Sequence, residues 1–386
     1  MTYAQGRAFN DADSHIMELP SFLKDYADPP MRERMPEIPV PRIGTLANLI
    51  DEAKAAGGHS PERIGELVAL GDTLIAGPKG YAALGAFNAG ERTHALDMLG
   101  FQRQLVFASF SELIAFDTER AIEDRYAVAR AHNRAMAEFC SQDKRLCGVG
   151  LLPLDVTALS LAELDCLLSL GLKAAWVPHS ACGGRSPGHT DLDPVWARLA
   201  EAGVPFVIHV GGARLNLPRE WMNTGRKIPS DWLGGGENLR GKDMTALHHG
   251  AEVFIGVMVM DGVLERHPTL RGGVIELGAG WVPSMLTRLD WTVDIWKKSE
   301  PELATQSRKP SQQIIDQLAF TPFVYENVGE LIRQSDERLY MFSSDYPHPE
   351  GGRAPLARFE ASLAGHGESA KAHFYAENFA RLFASA

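Results

Sequence analysis

The stretch "FNDADSHIME", residues 9–18, sets Asp11, Asp13 and His15 two residues apart inside a short apolar run. On an extended chain, residues i, i+2 and i+4 share one face, so three polar groups point the same way. Such a face makes a poor core and a good cation cage. Further along, the ends of apolar runs carry His179, His209, Glu276, and Asp345 with His348. Buried charges are costly unless paired or bound to metal, and one ion accounts for all of these groups together. Imidazole nitrogen and carboxylate oxygen suit a divalent Zn, Mn or Fe ion. With a coordination position left open, the ion would activate water or polarise a carbonyl or carboxylate. The four cysteines show no C-x-x-C spacing, which argues against a thiolate site and for free thiols.

Positioning these groups requires elements that end at one place. Apolar runs recur at "AFNDADSH", "QRQLVFAS", "RLCGVGLLPL", "LKAAWVPH", "VPFVIHVGG", "RGGVIELGAG", "FTPFVYENV" and "RLYMFSSDYPHPEG". Most are followed by helix-like stretches, a pattern that implies parallel strands with helices outside. Their near-continuous apolar character suggests burial on both faces. Eight such units predict an α/β fold, a (β/α)8 TIM-type barrel, whose catalytic groups sit at the C-terminal strand ends. An open doubly wound sheet is the competing architecture, but no Gly-rich fingerprint follows the first strand.

Two stretches break the rhythm. Residues 20–100 read as short helices and Gly-rich turns, an insertion between the first two strands that would form a lid or wall at the barrel mouth. A long loop is expected over 211–243, after the fifth strand. The chain of 386 residues, 45% apolar, reads as a single domain over 1–386. A formal charge of −11 argues against nucleic acid and anionic membranes as partners. The N-terminus lacks a secretory pattern, and no apolar run reaches the ~18 residues of a membrane span. The expectation is a cytoplasmic enzyme with a small-molecule substrate.

Four segments, "DADSHIMELP", "VPFVIHVGG", "GVLERHPTLRGGVIELGAGWVPSMLTRLD" and "MFSSDYPHPEG", occur in an order that resembles the amidohydrolase-related family. The similarity is to its branch of aminocarboxymuconate semialdehyde and resorcylate-type decarboxylases, over nearly the whole chain outside 20–100. The resemblance implies a first-strand metal pair at Asp13 and His15 and a fifth-strand ligand at His209. It also implies Asp345 as ligand and proton shuttle, and a homodimer. Two departures stand out. Asp13 replaces a more usual His or Glu, and Glu276 and Leu277 occupy the region where several decarboxylases carry a catalytic histidine.

A set of three carboxylates and two imidazoles could hold one or two ions, with His179 as a ligand of the second. Alternatively, Glu276 only orients His209 or an arginine. The resemblance supports a hydrolase or non-oxidative decarboxylase acting on a small organic acid, aromatic acids included, or on a carbonyl compound. The carboxylate-rich set points to the alternative, a dinuclear iron or iron–manganese oxygenase on the same barrel. A barrel without catalysis is a third reading. Smaller expectations concern His348 touching substrate and Arg214 clamping a substrate carboxylate or forming a surface ion pair. Trp281 is read as substrate wall or core, and Asp11 as a hydrogen-bonding group within the barrel.

Overall fold

The computed structural model describes residues 1–40, 45–227 and 239–383. Part of the loop expected over 211–243 therefore lies outside the described residues. Seven parallel strands run in sequential order: β1 (Asn10–Asp11), β2 (Arg103–Val106), β3 (Leu146–Leu151), β4 (Ala174–Trp176), β5 (Phe206–His209), β6 (Gly272–Ile275) and β7 (Leu318–Phe320). The register sets Leu105 opposite Cys147, Leu151 opposite Trp176, Trp176 opposite Val207 and His209 opposite Ile275. Residues 340–346 close the ring between β7 and β1. Met341 N–H donates to Phe320 C=O (2.9 Å), Ala12 N–H to Phe342 C=O (3.0 Å) and Asp345 N–H to Asp13 C=O (2.9 Å). The result is a TIM-type barrel.

Helices Ala89–Leu99, Ile122–Ser141, Thr157–Ser169, Asp193–Ala202, His249–Met260 and Val282–Trp296 each lie between successive strands. Local chemistry sets their ends. The Asn88 side chain accepts from Glu91 N–H at the start of Ala89–Leu99, and Gly100 closes it at φ 74°. Packing on the strands is close. β3 reads LCGVGL and is buried throughout; a methyl on Gly150 would stand 2.5 Å from Leu167 Cδ1 of the covering helix.

A buried polar layer ties the first strands to the closing segment. Asp11 accepts from Ser344 N–H (2.8 Å), Ser344 O–H (2.6 Å) and Gln104 Nε2–H (2.8 Å), as expected for a group internal to the barrel. Arg92, wholly buried, donates to Gly85 C=O (2.7 Å), Gln104 Oε1 (3.0 Å) and the His15 carbonyl.

Three strand expectations shift. The eighth, over 338–351, joins the ring through bridges at Tyr340 and Tyr346 and single hydrogen bonds rather than as a strand. The strand expected over 320–328 ends at Phe320, because Pro322 soon follows and lacks a ladder donor. β1 is only two residues long, yet the extended chain continues as bridges Ser14–Tyr346 and His15–Phe107. Within the 20–100 stretch, residues 79–86 lean on the strand ends: Met17 N–H donates to Ala86 C=O (2.7 Å) and Gly80 N–H to Pro347 C=O (2.8 Å). Tyr81 O–H donates to Glu18 C=O (2.7 Å).

Candidate metal centre

The strand ends bring Asp13, His15, His209 and Glu276 into one buried group whose donor atoms lie within 4.8 Å of one another. His15 Nε2 is 3.3 Å from Asp13 Oδ1, His209 Nε2 is 3.3 Å from the same oxygen, and His209 Nε2 is 3.5 Å from Glu276 Oε2. Asp345 and His348 join His15 in a second, overlapping group. Asp345 Oδ1 stands 3.5 Å from His15 Nε2 and 3.3 Å from His348 Nδ1. The His348 and His15 rings stack at 3.8 Å. Donors about 2.1 Å from a common ion sit roughly 3.0–3.4 Å apart, so these spacings fit one.

Backbone strain marks the same place. Among the described residues three non-glycines have positive φ; two of them are Glu276 and Asp345, both at 53°, the third being Gln5. Such conformations persist where surrounding structure enforces them, commonly at functional sites. Glu276 N–H is pinned by Thr321 Oγ1 at 2.8 Å. A cavity of about 30 Å³ lies against Asp13, Glu276, Asp345 and Glu350, room for an ion or one water.

Protonation follows from the hydrogen bonds. His15 Nδ1 lies 2.7 Å from Ala108 C=O and His209 Nδ1 lies 2.9 Å from Val210 C=O; each carbonyl accepts, so each Nδ1 carries the hydrogen. Ser109 O–H donates to Ile16 C=O (2.9 Å), which leaves its oxygen to accept from His348 Nε2–H at 2.8 Å. The inner nitrogens, His15 Nε2, His209 Nε2 and His348 Nδ1, therefore turn lone pairs toward carboxylates. Burial pushes His15 down to about 4 and His348 down to about 3, keeping both neutral. Burial, with Asp13 nearby, lifts the Asp345 carboxyl to about 7. Asp13 Oδ2 and both Asp345 oxygens accept no hydrogen bond among the described residues. Lone pairs facing carboxylates repel unless a cation lies between them, and the donor set suits one.

A sequence profile described as amidohydrolase matches residues 82–384. The chain belongs to the amidohydrolase family. Among solved structures, an amidohydrolase from Mycobacterium avium subsp. paratuberculosis is similar at TM-score 0.70 and 20% identity, over 98% of this chain and 99% of that one. The 2,6-dihydroxybenzoate decarboxylase from Rhizobium is similar at TM-score 0.61 and 17% identity, over 98% and 99%. A dihydroxybenzoic acid decarboxylase from Polaromonas sp. JS666, with bound manganese and the inhibitor 2-nitroresorcinol, gives TM-score 0.58 and 17% identity, over 98% and 97%. At these identities the likeness is one of fold. A search of curated proteins gives no match.

Other residues of this amidohydrolase singled out by sequence fall elsewhere. His179 is buried just beyond the end of β4, outside both groups. Arg214 stands at the surface, its side chain 68% exposed and paired with Glu119 (2.9 Å) and Asp117 (3.6 Å). Trp281 is core: its indole N–H donates to Leu277 and Gly278 carbonyls and its ring meets Phe320 edge-on. Four polar residues by the centre escaped the sequence reading. Glu18 accepts from Ser109 N–H, Ser111 N–H and Ser111 O–H. Lys79 presents its ammonium to the Tyr346 ring at 5.9 Å, with Asp345 and Glu350 charges nearby. Glu112 and Trp176 are wholly buried. Glu18 closes the opening motif, and Glu112 follows "VFASFS" at a strand end, so position was a usable signal for both.

Proposed function

We propose that this amidohydrolase is a metal-dependent, non-oxidative decarboxylase of small oxygen-substituted organic acids, aromatic acids included. The observation that carries the reading is the set of three imidazoles whose outer N–H groups are committed and whose inner nitrogens face Asp13, Glu276 and Asp345. Asp13, His15, His209, Glu276 and Asp345 would hold a divalent ion, and His348 stands behind Asp345. Once bound, the ion polarises the oxygens of a carboxylate or carbonyl group. Manganese in the Polaromonas relative supports that choice of ion. Asp345 is the proton carrier: its Oδ1 faces His348 Nδ1 at 3.3 Å, and His348 is oriented by Ser109. As carbon dioxide leaves, the substrate carbon takes a proton from Asp345, and the buried surroundings exclude bulk water from competing. Hydrolysis would use the same carboxylate as base.

The overlapping group His15–Asp345–His348 favours a second reading, a two-ion centre. Incubating manganese-loaded protein with hydroxybenzoates and short hydroxy and keto acids, and measuring released carbon dioxide by isotope-labelled carboxyl carbon, tests the proposal. Label release that disappears in Asp345→Asn supports it. Metal-loaded protein that releases no label from any acid contradicts it, and oxygen consumption with two bound irons would establish the oxygenase instead.

A further inference from the structure

Beside the centre, the chain after His209 makes a Gly211–Gly212 turn, with Gly211 at φ +84°. Three buried polar groups from two segments converge on it, Trp176 and His179 from β4 and its end, and Glu112 from the short helix Ser111–Ala115. A methyl on Gly212 would stand 2.9 Å from His179 Nδ1 and 3.0 Å from Trp176 Nε1. One on Gly211 would stand 3.3 Å from Glu112 Cγ and 3.4 Å from its Oε1. Trp176 Nε1, His179 Nδ1 and both Glu112 carboxyl oxygens make no hydrogen bond among the described residues. Trp176 and Glu112 are 0% exposed and His179 is 7% exposed. Leaving so many buried groups unmet is costly, and a fold that tolerates it at one spot has a use for the spot.

We propose that Trp176, His179 and Glu112 form an oxygen-recognition subsite around Gly211–Gly212, binding a hydroxyl or carbonyl oxygen of the substrate other than those at the metal. The subsite rests on the reading of the centre as a metal-dependent acid-binding site, and it adds the substituent that the acid must carry. Trp176 supplies an N–H donor, and its ring packs 4.8 Å from His209, so the subsite adjoins a metal-ligand candidate. Its polar groups are neutral. Burial and the facing Glu18 push the Glu112 carboxyl well up, and burial lowers His179 to about 4. A neutral carboxyl, an indole N–H and a neutral imidazole favour an uncharged oxygen over a second carboxylate or an ammonium. The absence of side chains at Gly211 and Gly212 lets the backbone come close to these groups, where a methyl on Gly212 would crowd His179 Nδ1 and Trp176 Nε1.

The test titrates manganese-loaded protein calorimetrically with benzoate and with 2-, 3- and 4-hydroxybenzoate. Manganese content and melting temperature are recorded for wild type, Trp176→Phe, Glu112→Met and Glu112→Gln. The expected result is one hydroxybenzoate binding about tenfold tighter than benzoate. Trp176→Phe and Glu112→Met should abolish that preference with metal content unchanged, while Glu112→Gln, which keeps a neutral donor, should retain it. Because the free protein carries an unmet carboxyl, Glu112→Met should also melt higher than wild type. A preference that survives in both variants overturns the subsite while leaving the metal centre standing. So does a lower melting temperature for Glu112→Met, the mark of a structural role. Binding of none of the four acids to metal-loaded wild type overturns the proposed substituent chemistry. A wild type that takes up no manganese overturns the underlying metal reading instead.

Discussion

His348 shows how a single oxygen can decide what an imidazole does. Ser109 spends its hydrogen on Ile16 C=O and so accepts from His348 Nε2–H at 2.8 Å, which fixes the tautomer that turns Nδ1 to Asp345. Partners that orient a ligand are worth roughly 10–100-fold in metal affinity, and Ser109 acts on the ligand candidate Asp345 through His348. Ser109→Ala should weaken metal binding by about tenfold in competition with a fluorescent chelator, with the fold unchanged by circular dichroism. Asp13, His15 and His209 were legible because their spacing and strand-end positions are properties of the chain itself. Glu112 and Trp176 were not, since what singles them out is the lack of a hydrogen-bond partner, which exists only in three dimensions. Arg214 was ambiguous for a related reason: Asp117 and Glu119, which hold it at the surface, lie far from it in sequence.

At the scale of elements, strand order and direction follow from apolar runs alternating with helices, and the barrel was legible on that basis. Boundaries were not. β7 ends at Phe320 because Pro322 cannot extend the ladder, while the closing segment holds through single hydrogen bonds that no alternation pattern advertises. Close helix–strand packing makes Gly150→Ala costly: its methyl would stand 2.5 Å from Leu167 Cδ1, and overpacking of this kind costs about 1–3 kcal/mol. Urea unfolding should show that loss. The helix Ile122–Ser141 buries His132, whose Nε2–H donates to Val149 C=O at 3.3 Å. Burial lowers it to about 4, against an ordinary value of 6.5. The folded state therefore holds His132 neutral while the unfolded chain binds a proton, so stability falls as pH drops from 6.5 toward 4. The complete effect is of order 3 kcal/mol. His132→Leu should flatten this part of the stability–pH curve between pH 4 and 6.5, measured by denaturant titration at each pH.

For the whole molecule, the centre couples binding to folding. Asp13, Glu276 and Asp345 meet at the strand ends of a ring closed by residues 340–346, so their mutual repulsion opposes closure until a cation is present. Melting temperature should rise with free manganese, by the equivalent of about 3 kcal/mol at a hundredfold excess over the dissociation constant. It should fall on chelation, and calorimetry at graded metal concentration measures both. The 20–100 stretch was legible as short helices, and residues 79–86 do reach the strand ends. Its role as wall or lid is a proposal that sequence alone could not place, because short polar helices carry no directional pattern.

The most direct measurement is the metal content of protein purified without chelator, by inductively coupled plasma mass spectrometry, for wild type and His209→Ala. The expected result is about one divalent transition ion per chain in the wild type, or two if the His15–Asp345–His348 group is also filled, and loss of that metal in the variant. Folded wild type carrying no transition metal, even after incubation with manganese, zinc or iron, would contradict it.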